Sequence, residues 1–269
     1  MTHLRSALIN VMCGAAQKAA RKLVRDFGEV EHLQVSKKGP ADFVSTADKT
    51  AEKTLLRELG KARPGYGFLA EEGGAVAGTD TSNRWIIDPL DGTSNFLHGI
   101  PHFAISIALE RDGEPFAGVI YEPVHDEMFW AEKGQGAHLN GHRIRVSSRH
   151  RPDESLFATG IPFKGAGDHA RFLRQLQAVM GLSAGVRRFG SAALDLAYVA
   201  AGRYDGYWET GLKIWDIAAG IALVREAGGF VSEIGGGKDM MTSGDILATN
   251  SQLHALLGKA LRQTATGKP

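Results

Sequence analysis

Trp85-Ile86-Ile87-Asp88-Pro89-Leu90-Asp91-Gly92-Thr93-Ser94-Asn95 is the stretch whose reading decides the fold. An apolar run, read as a buried strand, ends abruptly in two carboxylates three residues apart around a proline. Pro89 biases Asp88 towards an extended conformation and denies it a helix. The two acids are therefore expected to converge through a tight turn at the strand end. Gly92 permits close backbone approach or an unusual dihedral, and Thr93-Ser94-Asn95 can open a helix with free backbone N–H groups. Carboxylates beside such N–H groups suit a metal and phosphate site, because the cation screens the acids from an anionic substrate. Taken alone, Asp-x-x-Asp-Gly also reads as a solvated turn.

Two other apolar segments meet acids in the same way. Phe68-Leu69-Ala70 runs into Glu71-Glu72, and Trp215-Asp216-Ile217-Ala218-Ala219-Gly220 sets a lone acid at the start of an apolar helix. By itself Asp216 is an ordinary helix cap.

The rest of the chain alternates strands and helices. Leu4, Leu8, Val11, Ala15, Ala19, Leu23 and Phe27 recur at helical steps, with Lys18, Arg21, Lys22 and Arg25 on the wet side, so the first helix is amphipathic rather than a signal peptide. Lys37-Lys38-Gly39-Pro40 reads as a turn. A second helix begins near Ala47, with Asp48 in its first turn and Gly60 after its last. Period-two alternation from Phe103 to Leu109, followed by Asp112-Gly113, Gly134 and Asn140-Gly141, predicts an antiparallel meander over 103–147. Beyond it, strands are predicted at 155–159, 186–189, 205–208, 229–234 and 246–249, with helices at 168–180, 192–201, 214–227 and 252–261. One compact domain, 1–269, is expected, with lobes 1–148 and 149–269 meeting near Arg149-His150-Arg151-Pro152.

Composition narrows the classes. The chain has 269 residues, with 31 Lys+Arg against 30 Asp+Glu, a formal charge of +1 that argues against a nucleic-acid or membrane-surface binder by bulk electrostatics. Hydrophobic content of 43% suits a soluble globular core, and no apolar run is long enough to span a membrane. Cys13 is the single cysteine, which excludes an internal disulfide or a cysteine zinc site and fits the cytoplasm.

Together the motifs resemble the inositol monophosphatase family of magnesium-dependent, lithium-sensitive sugar phosphatases. One signature stands at Trp85 to Phe96, and a second at Trp215 to Gly220, followed by Glu226-Ala227-Gly228-Gly229. Asp42-Phe43-Val44-Ser45-Thr46-Ala47-Asp48, Glu71-Glu72 and Gly190-Ser191-Ala192-Ala193-Leu194 keep the family's order and spacing. The resemblance implies an α+β fold, a layered αβαβα sandwich, usually a homodimer. It implies that Glu71, Asp88, Asp91 and the Leu90 carbonyl hold magnesium, with Asp216 completing a second site, for two or three ions in all. Thr93 and Asp48 would orient the attacking water next to Glu71. The helix start at Gly92, Thr93 and Ser94 would bind phosphate. Ser191, Ala192, Glu209 and Asp216 would face the alcohol, and Lys37 would stand near the entrance. The implied substrate is a small sugar or polyol phosphate, foremost inositol monophosphate, with fructose 1,6-bisphosphate and histidinol phosphate as alternatives.

The chemistry stands without the name. Oxygen ligands indicate a hard cation, and metal-assisted attack by water needs neither a Ser-His-Asp triad nor a catalytic cysteine. Gly235-Gly236-Gly237-Lys238-Asp239 lacks the P-loop's first glycine and its Ser/Thr, and Gly134-Gln135-Gly136 lacks the third glycine of a dinucleotide fingerprint. His98 and His102, with Gly99 and Pro101 between them, read as loop histidines rather than ligands, and His138 and His142 are out of register across their hairpin. Trp85 and Trp215 read as core. A rival reading uses the basic run Arg143, Arg145, Arg149, His150 and Arg151: some bacterial family members bind the transcription apparatus, and such a stripe could touch RNA.

Overall fold

Alternation along one strand divides the core. In β5 (Asp80–Asp91), Trp85 and Ile87 point into an apolar layer shared with α1 (Ala7–Phe27) and α2 (Thr46–Ala62). Ile86 points the other way, among α5 (Ala192–Ala200) and α6 (Ile214–Glu226). The computed structural model describes residues 5–29, 35–39, 42–162 and 167–264, with backbone alone over 35–39 and 42–45.

The larger sheet also contains β3 (Tyr66–Ala70), β4 (Gly74–Val76), β6 (Ala104–Arg111), β7 (Glu114–Glu122), β8 (Glu127–Glu132), β9 (Gly136–Leu139) and β10 (His142–Ile144). Its order is β10-β9-β8-β7-β6-β5-β3-β4. Only β3 and β5 pair in parallel; β6 to β10 form the predicted meander. The second sheet is built from β11 (Leu156–Thr159), β12 (Gly185–Arg187), β13 (Gly206–Glu209), β14 (Phe230–Ser232) and β15 (Ile246–Thr249), in the order β12-β11-β13-β15-β14. Ala158, Tyr207 and Ala248 face α5 and α6, whereas Phe157, Trp208 and Leu247 face α4 (His169–Met180) and α8 (His254–Gln263). Five layers result, helix–sheet–helix–sheet–helix, in agreement with the expected sandwich. Arg149-His150-Arg151-Pro152 falls between Ile144 and Leu156, where one sheet ends and the other begins.

Two glycines set how tightly the middle layer sits. A Cβ on Gly118 of β7 would lie 2.4 Å from the Ala219 carbonyl oxygen of α6, and one on Gly220 would lie 2.4 Å from a Leu196 methyl of α5. The β7 and α6 backbones meet at Gly118, and the Leu196 side chain lies against the α6 backbone at Gly220, only because neither glycine has a side chain.

Several local expectations need correction. Lys37 to Gly39 belong to β1 (Val35–Gly39), antiparallel to β2 (Asp42–Ser45), so no turn begins at Lys37. Gly60 lies inside α2, because buried Leu55 and Leu59 carry the helix on to Ala62, before Pro64 stops it. The hairpin at Gly74 and the short α7 (Met240–Ser243) lacked a periodic signal.

Cys13, on the buried stripe of α1, is 1% exposed, and burial pushes its thiol up to about 11. It is therefore neither accessible nor a thiolate. An aromatic disulfide reagent should leave the native protein unlabelled and modify one thiol per chain after denaturation. Native labelling at the rate of a free thiol would contradict the packing of α1 on the sheet.

Candidate active site

Asp88 and Asp91 meet through a β-bulge rather than a turn beyond the strand. β5 continues to Asp91, and its register against β6 slips between Asp88, opposite Ser106, and Asp91, opposite Ala104. Three steps on one strand thus match two on the other, which inserts one residue. Without it, positions three apart would face opposite sides of the sheet. With it, both acids share the face of Ala104 and Ser106, towards the middle helices, while Leu90 turns into the α1/α2 core. The Leu90 N–H donates to Asp88 Oδ1 at 2.9 Å, and the Ser106 hydroxyl donates to the Trp215 carbonyl at the start of α6.

At Asp91 the chain crosses to the second half of the sequence. The Ser191 hydroxyl and the Ala193 N–H, at the N-terminus of α5, both donate to Asp91 Oδ2, at 2.6 and 2.7 Å. Gly92 follows with φ +91, and a Cβ there would lie 3.0 Å from the His102 carbonyl oxygen, so both backbone and space require glycine. It caps α3 (Thr93–Leu97). Thr93 donates from Oγ1 to the Leu90 carbonyl at 3.0 Å and stands 3.4 Å from Asp48 Oδ1 in α2. Glu71 follows β3, and its N–H donates to the Ile87 carbonyl, tying it to β5. Asp216 occupies the first turn of α6, where Oδ2 accepts the Lys213 N–H at 2.7 Å. Ser94 is exposed at the start of α3. The Lys37 side chain lies outside the described residues.

Electrostatics ties these acids together. Burial, then Glu71, Asp91 and Asp216, push Asp88 well above the usual carboxylate range. Asp216 is raised by burial and Asp91, then by Glu71 and Glu209, against its own capping bond. Burial pushes Asp91 up to about 6, although the Ser191 hydroxyl and the N–H groups of Ala193, Ala192 and Gly92 favour its charged form. The donors are all hard oxygens, and their mutual repulsion is what a divalent cation relieves, so the residues fit magnesium by chemistry. Among the described residues no three His, Cys, Asp or Glu side chains are already gathered as a metal-binding group.

Glu209, at the end of β13, accepts the Tyr207 hydroxyl, and burial pushes it up to about 7. A Cβ on Gly160 would lie 1.9 Å from its Oε1, so the carboxylate needs glycine there. Asp195 was not anticipated. It is 1% exposed in the first turn of α5, and burial, Glu209 and Asp91 raise it while Arg188 opposes. An acid in a helix's first turn passes in sequence for a dipole partner. Asn95 was anticipated only as part of the helix start, yet it joins two loops by donating to the His102 and Phe189 carbonyls at 2.8 and 2.7 Å.

The histidines behave separately. His98 Nδ1 pairs with the Ser94 carbonyl at 2.7 Å, and His102 lies against Phe189 and Tyr198, where burial lowers it to about 4. His138 stacks on Trp130 at 4.0 Å, while His142 is exposed. Trp85 is fully buried and Trp215 packs against the middle layer.

The model of the inositol monophosphatase family matches residues 4–266. An inositol-1-monophosphatase of Mesorhizobium japonicum is 58% identical over 264 residues, 98% of this chain and 99% of the relative. The Nus factor SuhB of Escherichia coli strain K12 is 44% identical over 246 residues, 91% and 92% of the two chains. The crystal structure of the extragenic suppressor protein suhB from Bartonella henselae superposes with a TM-score of 0.93 at 56% identity, covering 96% of this chain and 99% of that one. With a shared five-layer fold and likeness along nearly the whole sequence, the chain belongs to the inositol monophosphatase family.

Proposed function

We propose that this protein is a magnesium-dependent phosphatase that hydrolyses a small polyol or sugar phosphate, foremost inositol monophosphate. What supports the reading most is that Glu71 after β3, Asp88 and Asp91 in β5 and Asp216 at the start of α6 are electrostatically linked, each of Asp88 and Asp216 being raised by burial and by its acidic neighbours. The names of its relatives point the same way. In this reading Glu71, Asp88, Asp91, the Leu90 carbonyl and Asp216 hold two or three magnesium ions. When bound, these supply Lewis-acid charge that acidifies water and offsets the charge of the phosphate.

The chain's own groups do the positioning. The Thr93 hydroxyl lies between the Leu90 carbonyl and Asp48, so it can orient an attacking water while Asp48 accepts a proton. Thr93 and Ser94 offer phosphate the backbone N–H groups that open α3, while Gly92, whose N–H faces Asp91, lets the chain turn into it. Ser191 and Ala192 act through Asp91, whose orientation the α5 terminus fixes. Glu209 accepts hydrogen bonds from the alcohol, near Asp216, and Lys37 lies at the entrance. Two lobes, 1–148 and 149–269, then each supply part of one site. Exposed Ile161 and Met180, 47% and 62% accessible beside one apolar groove, support a homodimer. No described helix is long and apolar enough to cross a membrane, and a cytoplasmic setting fits the lone reduced cysteine.

The 44% identical Nus factor favours a second reading, binding to RNA or the transcription apparatus. Two members of the basic run are paired locally: Arg149 with Asp205, and Arg151 with Asp153 and Glu154. Catalysis is the better supported of the two.

Phosphate release from a substrate panel should require magnesium, and Asp91→Asn should lower turnover by about 100-fold or more, since it weakens cation binding and water activation together. Full activity in excess chelator would refute the mechanism. Magnesium at about 100 times its Kd should stabilise the parent by about 2.7 kcal/mol per independent site. In chelator Asp91→Asn should melt no lower than the parent, because an amide oxygen can still accept from Ser191 and Ala193 while one repulsive charge is gone. It should gain less from magnesium; equal magnesium shifts for both proteins would remove Asp91 from the cation site.

Glu209→Gln should alter the ratio of kcat/KM between inositol monophosphate and p-nitrophenyl phosphate by about tenfold, because such a carboxylate discriminates only among substrates whose hydroxyls it binds. An equal fall for both substrates would mean that Glu209 does not read the alcohol.

A further inference from the structure

Glu71 stands on a tight hairpin at one edge of the larger sheet. β3 and β4 pair as far as Ala70 with Gly74, so Glu71, Glu72 and Gly73 form the loop between them. Gly74 takes φ +71, the left-handed conformation that closes such a loop. β4 ends the strand order on that side. Loops at a sheet edge are among the most readily displaced parts of a fold, so a residue that works from one needs its backbone fixed.

Two hydrogen bonds supply that fixing. The Glu71 N–H donates to the Ile87 carbonyl of β5 at 3.2 Å, and the Glu72 N–H donates to Glu52 Oε2 of α2 at 2.8 Å. These two N–H groups belong to the peptide planes on either side of the Glu71 Cα. With both planes held, φ and ψ of Glu71 are held, and so is the direction in which its side chain leaves the backbone. One anchor is the strand that carries Asp88, and the other is a carboxylate.

The helix period puts Glu52 there. On α2, Ala47, Asp48, Ala51, Glu52, Leu55 and Leu59 form the buried stripe. Its two acids, Asp48 and Glu52, are one turn apart and only 1% and 5% exposed. Acids are almost never buried this far unless paired. Asp48 meets Thr93 at the start of α3, and Glu52 meets the peptide after Glu71. A Cβ on Gly73 would lie 2.9 Å from Glu52 Oε1, so the loop backbone closes directly over the carboxylate.

We propose that Glu52 is a positioning residue for Glu71: by accepting the Glu72 N–H it fixes the Glu71 backbone and holds the Glu71 carboxylate in the cation site beside Asp88. One face of α2 then serves that site twice, through Asp48 at Thr93 and through Glu52 at Glu71. A loop released from Glu52 would present Glu71 correctly for only part of the time, and cation affinity falls by that fraction. This rests on the reading of Glu71 as a magnesium ligand.

The test is a magnesium titration of the full-length protein, followed both by melting temperature and by phosphate release from inositol monophosphate. Glu52→Met removes the acceptor at similar side-chain length. Gly73→Ala keeps Glu52 and its charge but pushes the carboxylate off the Glu72 N–H, a shift that the flexible end of a side chain can make with the loop still folded. Each should raise by about tenfold the magnesium needed for a given rise in melting temperature and for half-maximal release, the size of one lost hydrogen bond. Glu52→Gln, whose amide oxygen can still accept from Glu72, should restore most of that affinity; failure to do so would overturn the hydrogen bond as the means. A merely structural Glu52 predicts lower melting temperatures in chelator with an unchanged magnesium requirement, and that result would overturn the proposal. If Glu52→Met does not fold, Gly73→Ala decides alone. Glu71→Gln separates the positioning role from the reading beneath it. If it weakens the magnesium response while Glu52→Met and Gly73→Ala do not, positioning fails and Glu71 remains a ligand. If Glu71→Gln leaves the magnesium requirement unchanged, Glu71 holds no cation and the proposal falls with that reading.

Discussion

Two carboxylates three residues apart on a regular strand face opposite sides of its sheet, and no side-chain rotation brings them together. The single inserted residue at Pro89-Leu90 removes that obstacle, and the rest of the site depends on it. It turns Asp88 and Asp91 to the same face, sends Leu90 into the outer core, and frees the Leu90 carbonyl to meet Thr93. Proline suits the inserted position because it has no N–H to leave unpaired where the ladder is broken. The bulge therefore combines two acids, one carbonyl and the entry to α3 within five residues.

Acids turned to the middle of a five-layer sandwich still need something to face. The N-termini of α5 and α6 supply it, because a helix start presents unpaired N–H groups and partial positive charge. α5 spends its first N–H groups and the Ser191 hydroxyl on Asp91, 100 residues away in sequence. α6 brings an acid of its own, Asp216, tied back to the Lys213 N–H. Gly118 lets α6 settle on the β7 backbone and Gly220 makes room for Leu196 of α5, which seats the first turn of α6 beside Ser106 and hence beside Asp88. A methyl group at either glycine would press α6 outward and carry Asp216 with it.

Much of this was legible. Buried strands at 85–87 and 103–109 were marked by period and composition, and Asn140-Gly141 takes positive φ at both residues, +48 and +83, as its hairpin requires. The acids themselves were found because each interrupts an apolar run. What escaped depends on partners far along the chain. A turn and a bulge at Asp88-Asp91 have the same local sequence, and only the register against Ala104 and Ser106 distinguishes them. Ser191 is expected to face the substrate, and its bond from the hydroxyl to Asp91 shows only once the two halves of the sequence are folded together. Asp195 and Glu52 are ordinary helix residues until the neighbouring layer closes over them.

Among the described residues the titratable groups around Asp91 are mostly acids. Asp91, Asp195, Glu209 and Asp216 act on one another, and exposed Arg188 opposes them at Asp195 and Glu209. A corner with that balance repels a phosphate dianion and attracts a divalent cation through the same field. A lysine-lined pocket would hold phosphate without metal and could trap it after the reaction. Under the proposed function the attraction for phosphate is imported with the cation, so the acids that oppose each other in the protein alone would couple the binding of the two ions. In that reading the repulsion at Asp88 and Asp216 is tied to selectivity: a substitution that relaxes it would also weaken the charge that recruits the cation.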